Sequence, residues 1–263
     1  MNCARALLLA LALATAGSAA GGELSVAAAS DLRYALDACI AKYRAEHPDA
    51  EIKPVYGSSG NFFAQISNGA PFDLFLSADR KYPDKLVAEG RATAGSLFVY
   101  AIGRLVLWVP NDSPIDVENL GMAALKAPSA RRIAIANPAH APYGQAAVAA
   151  MSSSGIYEGV RDRLVLGDNI AQTAQFLESG AADIGLIALS LALSDAMRTK
   201  GRYQEVPQSA YPEMLQAGVI TGTAANPGAA ARFSAFLTSA AGRETLKAFG
   251  FAIPGETSAL VSQ

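Results

Sequence analysis

The feature that most constrains this chain is an alternation of short apolar runs with segments of helical period, beginning at Leu24. Leu24 to Ala29 (LSVAAA) reads as a short buried strand. Ser30 and Asp31 are helix-start residues, and the helix they open runs to about Glu46, before Pro48. Glu51 to Tyr56 (EIKPVY) reads as a second strand, with Pro54 marking an edge or an irregular end. The turn Gly57-Ser58-Ser59-Gly60 leads into a helix from about Asn61 to Asn68. Phe72 to Leu76 (FDLFL) reads as a third strand and Tyr82 to Glu89 as a third helix. A β-α-β-α-β-α order of this kind predicts a parallel sheet with helices on both faces.

The pattern changes after residue 96. Leu97 to Ile102 and Arg104 to Val109 (RLVLWV) read as two strands close together. A helix is expected over Val117 to Lys126, a strand over Arg132 to Ala136, and a helix over Gln145 to Met151 after the loop from Asn137 to Gly144. Asp168-Asn169-Ile170 opens another helix through Glu178, followed by a strand at Ile184 to Ile187 and a helix near Leu189 to Lys200. Glu205-Val206 and Gly218 to Thr221 read as strands. The end is helical, with Pro227 at a helix start and Gly250 closing the last helix at Phe249. No linker rich in proline, glycine or serine separates the halves. The expectation is an α/β fold of two lobes, with a mixed, mostly parallel sheet in each and a cleft between them, where ligand sites favour such interfaces. Lobe 1 is expected over residues 21–100 plus about 215–263, and lobe 2 over about 101–214.

The N-terminus predicts a compartment. Arg5, the apolar run Leu7 to Ala14 and the small residues Gly17 to Ala20 have the order of a secretory signal peptide over residues 1–20, cleaved after Ala19 or Ala20. The apolar run is too short for a bilayer, which needs about 20 residues. The mature chain is therefore expected in the periplasm. Cys3 leaves with the leader, so Cys39 has no partner for an internal disulfide. Leu32, Leu36, Cys39, Ile40 and Tyr43 recur at helical spacing, which places Cys39 on a core face. The chain is 51% hydrophobic and 17% charged, with a net charge of −2. That composition is globular, and it gives nucleic-acid binding no electrostatic support.

Enzyme chemistry finds little to work with. The two histidines are His47, at a helix end, and His140, between Pro138 and Pro142. No HExxH, paired cysteines or Asp/His cluster has metal-ligand spacing, and no GxSxG elbow, P-loop or GxGxxG is present. A secreted hydrolase built on Ser30 or Ser59 would lack a base beside either serine. No catalytic residue, side-chain metal ligand or cofactor is expected.

What recurs is a small polar stretch at a helix start: Ala29-Ser30-Asp31, Ser58-Ser59-Gly60, Pro142-Tyr143-Gly144 and Asn169-Ile170. A helix start leaves backbone N–H groups free and carries about half a positive charge. Several such ends converging on one point hold an anion without lysine or arginine. Singly, each stretch is an ordinary cap or turn; together, in an exported chain, they point to capture of a small oxyanion.

At these same residues the sequence resembles the ModA family, the molybdate-binding proteins of bacterial ABC importers. The resemblance covers nearly the whole mature chain. It rests on VAAASDL (Val26 to Leu32), YGSSGNF (Tyr56 to Phe62), GAPFDLFLSAD (Gly69 to Asp79), NPAHAPYG (Asn137 to Gly144) and DNIAQTAQFLESGAADIGLIALSLA (Asp168 to Ala192), in that order. It implies a two-lobed periplasmic-binding-protein fold of type II that closes on molybdate or tungstate. It further implies delivery of the ion to a membrane permease, with no nucleic-acid partner and a monomeric protein. Carried over position by position, the ligand residues are Ser30 and Ser59 by their hydroxyls, and Tyr143 and Ile170 by their backbone N–H groups. The metal is held through its oxygens only. Two departures stand out. A tyrosine hydroxyl that some members supply is replaced by Ala188, and Asp31 would repel a dianion, so its side chain is expected to point away or to cap its own helix. Sulfate, of the same charge and shape, is the alternative ligand.

Overall fold

The computed structural model describes residues 23–256, so the expected leader at 1–20 lies outside the described residues. The described strands form two five-stranded sheets. The first holds β1 (Leu24–Ala29), β2 (Ile52–Gly57), β3 (Leu74–Ser77), β4 (Phe98–Gly103) and β10 (Met214–Ile220), in the order β2-β1-β3-β10-β4. The second holds β5 (Leu105–Pro110), β6 (Ile133–Ala136), β7 (Leu164–Gly167), β8 (Ile184–Ala188) and β9 (Gly201–Glu205), in the order β7-β6-β8-β5-β9. Each sheet has three parallel strands. A fourth strand runs antiparallel beside them, β10 in the first sheet and β5 in the second, and bridges to the outermost strand. The mixed two-lobed architecture is the expected one.

The helices are α1 (Arg33–Glu46), α2 (Ser59–Ser67), α3 (Lys81–Ala88), α4 (Val117–Leu120), α5 (Pro142–Ser153), α6 (Tyr157–Val160), α7 (Ile170–Glu178), α8 (Leu189–Ala192), α9 (Pro227–Thr238) and α10 (Ala240–Ala248). The first sheet has a helical layer on each face because its strands alternate their contacts. Leu24, Val26, Ala28, Leu74 and Leu76 share a core with Leu36 and Cys39 of α1 and Phe233 of α9. Ala27, Phe75 and Val219 share another with Phe62 and Ile66 of α2 and Leu86 of α3. Burying each such leucine or phenylalanine contributes about 1.5–3 kcal/mol. Cys39 is fully buried and unpaired, and burial pushes its thiol up to about 12. Leu32, Leu36, Ile40 and Tyr43 are buried with it, as their spacing predicts.

Several elements differ from expectation for identifiable reasons. Pro54 does lie on an edge strand, β2, where its missing N–H costs no ladder bond to a further neighbour. The helix expected over Val117 to Lys126 breaks at Gly121, whose φ is +51°, and continues as a 3₁₀ turn. The helix expected from Leu189 to Lys200 ends at Ala192, and the Ser194 hydroxyl turns back to the Leu191 carbonyl at 2.6 Å. The helix expected from Gln145 starts earlier, with Pro142 in its first turn. The short strand β7 and the single turn α6 carry no periodic signal long enough to read from the sequence.

Candidate binding site between the sheets

The loops that follow the parallel strands meet where the two sheets face one another. They follow β1 (Ser30, Asp31), β2 (Ser58 to Gly60), β3 (Ala78), β6 (Asn137 to Ala141) and β7 (Asp168, Asn169). Ligands in open α/β sheets bind outside the carboxyl ends of the strands, which is this position. A small cavity lies there, with about 10 Å³ of space for water-sized groups, lined by Ala29, Ser30, Asp31, Gly57, Ser58, Ser59, Ala78, Ala141, Pro142, Tyr143 and Ile170. All four predicted residues, Ser30, Ser59, Tyr143 and Ile170, line it. No lysine or arginine does. A larger open groove by Leu120, Met122, Gln204 and Pro207 lies away from every one of these loops.

The amides at the helix starts sort themselves by capping chemistry. At α7, the Asn169 side chain accepts from Ala171 N and Gln172 N, both at 3.0 Å, and Thr173 N goes to Asn169 O. At α5, Gly144 N and Gln145 N go to Ala141 O, and Pro142 has no N–H. At α2, Gly60 N donates to His140 O at 2.9 Å, Asn61 N to the Ser58 hydroxyl and Phe62 N to Ser58 O. One first-turn N–H is left over in each case: Ile170, Tyr143 and Ser59. Among the described residues these three have no hydrogen-bond partner. They lie on the cavity and carry the partial positive charge of three helix ends.

The two serines are placed differently. Ser59 Oγ accepts from Ala78 N at 3.0 Å, which leaves its own proton to donate. Ser30 Oγ is engaged across the seam, donating to Asn169 Oδ1 at 3.0 Å and accepting from Ala171 N at 3.2 Å. Other bonds also cross. Ser58 Oγ meets His140 Nδ1 at 2.9 Å, Ser190 Oγ donates to Asp31 O at 2.8 Å, and Lys81 bonds Gln145. The sheets are thus drawn together over the cavity. Ala188 is fully buried at the end of β8 and does not line it.

Asp31 is expected from the sequence to point away or to cap its own helix, and the structure gives its side chain a partner on β10. It is 1% exposed, its Oδ2 accepts from Gln216 Nε2 at 2.5 Å, and the backbone N–H groups of Asp31 and Leu32 also favour its charged form. Tyr143 stands beside it, and the Tyr100 hydroxyl donates to Gln216 Oε1 at 3.1 Å. Oδ1 is buried with no partner. Burial pushes the Asp31 carboxyl from 3.8 up to about 6, against the opposing pull of its bonds to Gln216 and Tyr143. Burial, then the Asp31 charge, hold the Tyr143 and Tyr100 hydroxyls well above the ordinary tyrosine range. The Tyr143 hydroxyl is therefore occupied at the back of the cleft, while its amide lines the front.

Sequence reasoning placed Ser58 and Asn169 only in helix-start stretches, without a role, and missed Gln216 as a contributor. Gln216 had a readable signal, a lone amide inside the apolar strand MLQAGVI. His140 and Ser58 are also a pair that composition could not show. Asp168 lies 3.7 Å from His140 Nε2, too far for a hydrogen bond, and Ser58 Oγ is already the N-cap acceptor of α2. The set bridges the seam and makes no catalytic triad. Among the described residues, no group of three or more His, Cys, Asp or Glu side chains could hold a metal ion.

Residues 24–252 match the family of bacterial extracellular solute-binding proteins. The molybdate-binding protein ModA of Rhodobacter capsulatus is 37% identical over 94% of this chain and 95% of its own. That of Azotobacter vinelandii is 39% identical over 75% of this chain and 77% of its own. The solved structure of the Azotobacter vinelandii periplasmic molybdate-binding protein superposes with a TM-score of 0.82 at 34% identity, covering 88% of this chain and 99% of that one.

Proposed function

Because the chain belongs to the bacterial extracellular solute-binding proteins, among the molybdate-binding ModA proteins, we propose that it captures molybdate or tungstate and hands the ion to an ABC-type importer. It is a binding protein and not an enzyme, and the oxyanion is its cargo and not a cofactor. The observation that carries this reading is the set of three uncommitted amides, Ser59, Tyr143 and Ile170, on a cavity without a cationic side chain. A dianion there is held by helix-end dipoles and by the Ser59 hydroxyl, and Ser30 joins by turning its proton from Asn169 Oδ1 to the ion. Its metal centre touches no protein atom.

The protein works as a monomer in the periplasm after removal of residues 1–20, with a membrane permease as its partner. Lobe 1 comprises 21–100 with about 215–263, and lobe 2 about 101–214. The chain passes between the sheets at Gly103-Arg104 and again between β9 and β10. These two crossings are the natural hinge for closure on the ion.

Titration calorimetry of ligand-free protein against molybdate, tungstate, sulfate and phosphate tests the assignment. Tight binding of molybdate and tungstate, with sulfate and phosphate far weaker, is the expected result. Tight sulfate binding without molybdate binding overturns it. The double variant Ser30→Ala with Ser59→Ala should lose several kcal/mol of affinity, at roughly 1.5–3 kcal/mol per charge-assisted bond. Unchanged affinity would place the site elsewhere.

A further inference from the structure

An anion site lined by neutral donors contains one group of the wrong charge. Asp31 lines the same cavity as the three free amides, and its Oδ1 is buried without a partner. As a carboxylate it would face a dianion across a water-poor space, with one oxygen unsatisfied. As an acid it is neutral and has an O–H to donate. The surrounding bonds choose the oxygen. Oδ2 already accepts the Gln216 amide N–H, and Gln216 presents that N–H because its own oxygen accepts from Tyr100. The proton therefore belongs on Oδ1, the oxygen with nothing to bond.

We propose that Asp31 serves in the anion site as a neutral carboxylic acid, with Oδ1–H donating to an oxygen of the bound oxyanion, so that capture of the dianion takes up one proton from solution. The proposal rests on the reading that a tetrahedral dianion occupies this cavity. The proton balance is simple. The free carboxylate plus one solvent proton gives the bound acid, and the oxyanion keeps its own charge. Burial already brings the free carboxyl to about 6, and a neighbouring dianion raises it further. The other groups around Asp31 do not offer a competing proton at neutral pH. Tyr143 from α5 and Tyr100 from β4 are both held well above the ordinary range. Gln216 of β10 and Ser190 of α8 do not titrate. On its own element, Arg33 places its guanidinium over the Tyr56 ring.

The test is calorimetry with molybdate in two buffers of different ionisation enthalpy, repeated from about pH 5 to about pH 8. The expected result is uptake approaching one proton per ion at the alkaline end and falling toward none at the acid end. Affinity should weaken by up to tenfold per pH unit above about 6. Asp31→Asn, which keeps the shape, should bind without proton uptake and with a flat pH profile, whereas His140→Asn should keep the wild-type proton uptake. Molybdate binding by the native protein with no proton uptake overturns the role of Asp31 and leaves the ligand assignment standing, and so does undiminished uptake in Asp31→Asn. No molybdate binding at any pH overturns the ligand assignment, and the role of Asp31 with it. The native protein's proton uptake decides the question even where Asp31→Asn fails to fold.

Discussion

The two sides of the seam between the sheets are built on opposite principles. At the back, Asp31, Gln216, Tyr100 and Tyr143 form a polar cluster in which no residue is more than 2% exposed. At the mouth, Ser58, Gly60 and Asn61 meet His140 and Asp168, and the Asp168 side chain is 60% exposed. The exposed bond from Asn61 to Asp168 at the mouth exchanges readily for water and contributes little net energy to closure. Bonds at the back have no water to exchange with, and a change of charge there is felt in full. The back is thus suited to setting the chemistry of the site, and the mouth to opening and closing it.

The largest expected effect tests the back. A carboxyl raised on folding disfavours its ionised form. The stability it confers is fully present below the unfolded value of 3.8 and is lost as pH rises through about 6. A displacement of that size corresponds to about 3 kcal/mol. Asp31→Asn should therefore unfold at higher denaturant than the native protein at about pH 8, and the difference should vanish at about pH 4. A pH-independent difference would mean that Asp31 is no charged outlier.

The next effect tests the mouth by shape. A Cβ on Gly60 would stand 2.6 Å from His140 O and 2.9 Å from its Cα, on the opposing lobe. Gly60→Ala improves the helical propensity of α2, so any loss must come from blocked closure. Molybdate affinity should fall about a hundredfold, near 2.7 kcal/mol, while the free protein is no less stable. Retained affinity would show that closure does not bring these atoms together. Ser59→Ala, between the two regions, removes a donor to the ion and the acceptor of Ala78 N, and should cost about 2 kcal/mol of binding by calorimetry. The smallest effect is at the exposed rim. Asp168→Asn should change binding by less than about 1 kcal/mol, and salt should erase even that. A larger change would make the mouth an electrostatic device and collapse the distinction between the two sides.

The same division explains what could be read in advance. The helix starts at Ser59, Tyr143 and Ile170 were legible because caps are local, while their choice as ligands came from the resemblance to the ModA family, and which amide of α2 stays free depends on the distant His140 carbonyl. The alternation from Leu24 onward was legible for the same reason. The back of the cleft was not. Asp31 and Gln216 are 185 positions apart, and nothing near Asp31 says that its partner is a neutral amide rather than a lysine. Helix ends at Ala192 and Gly121 were missed where side-chain hydroxyls and a left-handed glycine override a favourable apolar pattern.

The completion of the first sheet by β10 has a consequence for the order of folding. The second sheet, from β5 to β9, is drawn from one continuous stretch and can form as soon as that stretch is free. The first cannot. Its centre is incomplete until β10, from the far end of the chain, inserts between β3 and β4. Contacts of such long separation form late and slowly. The segment emerging first from any synthesis or transport machinery is therefore the last to close its sheet, which leaves the leading part of the chain unfolded for as long as the trailing part is held back.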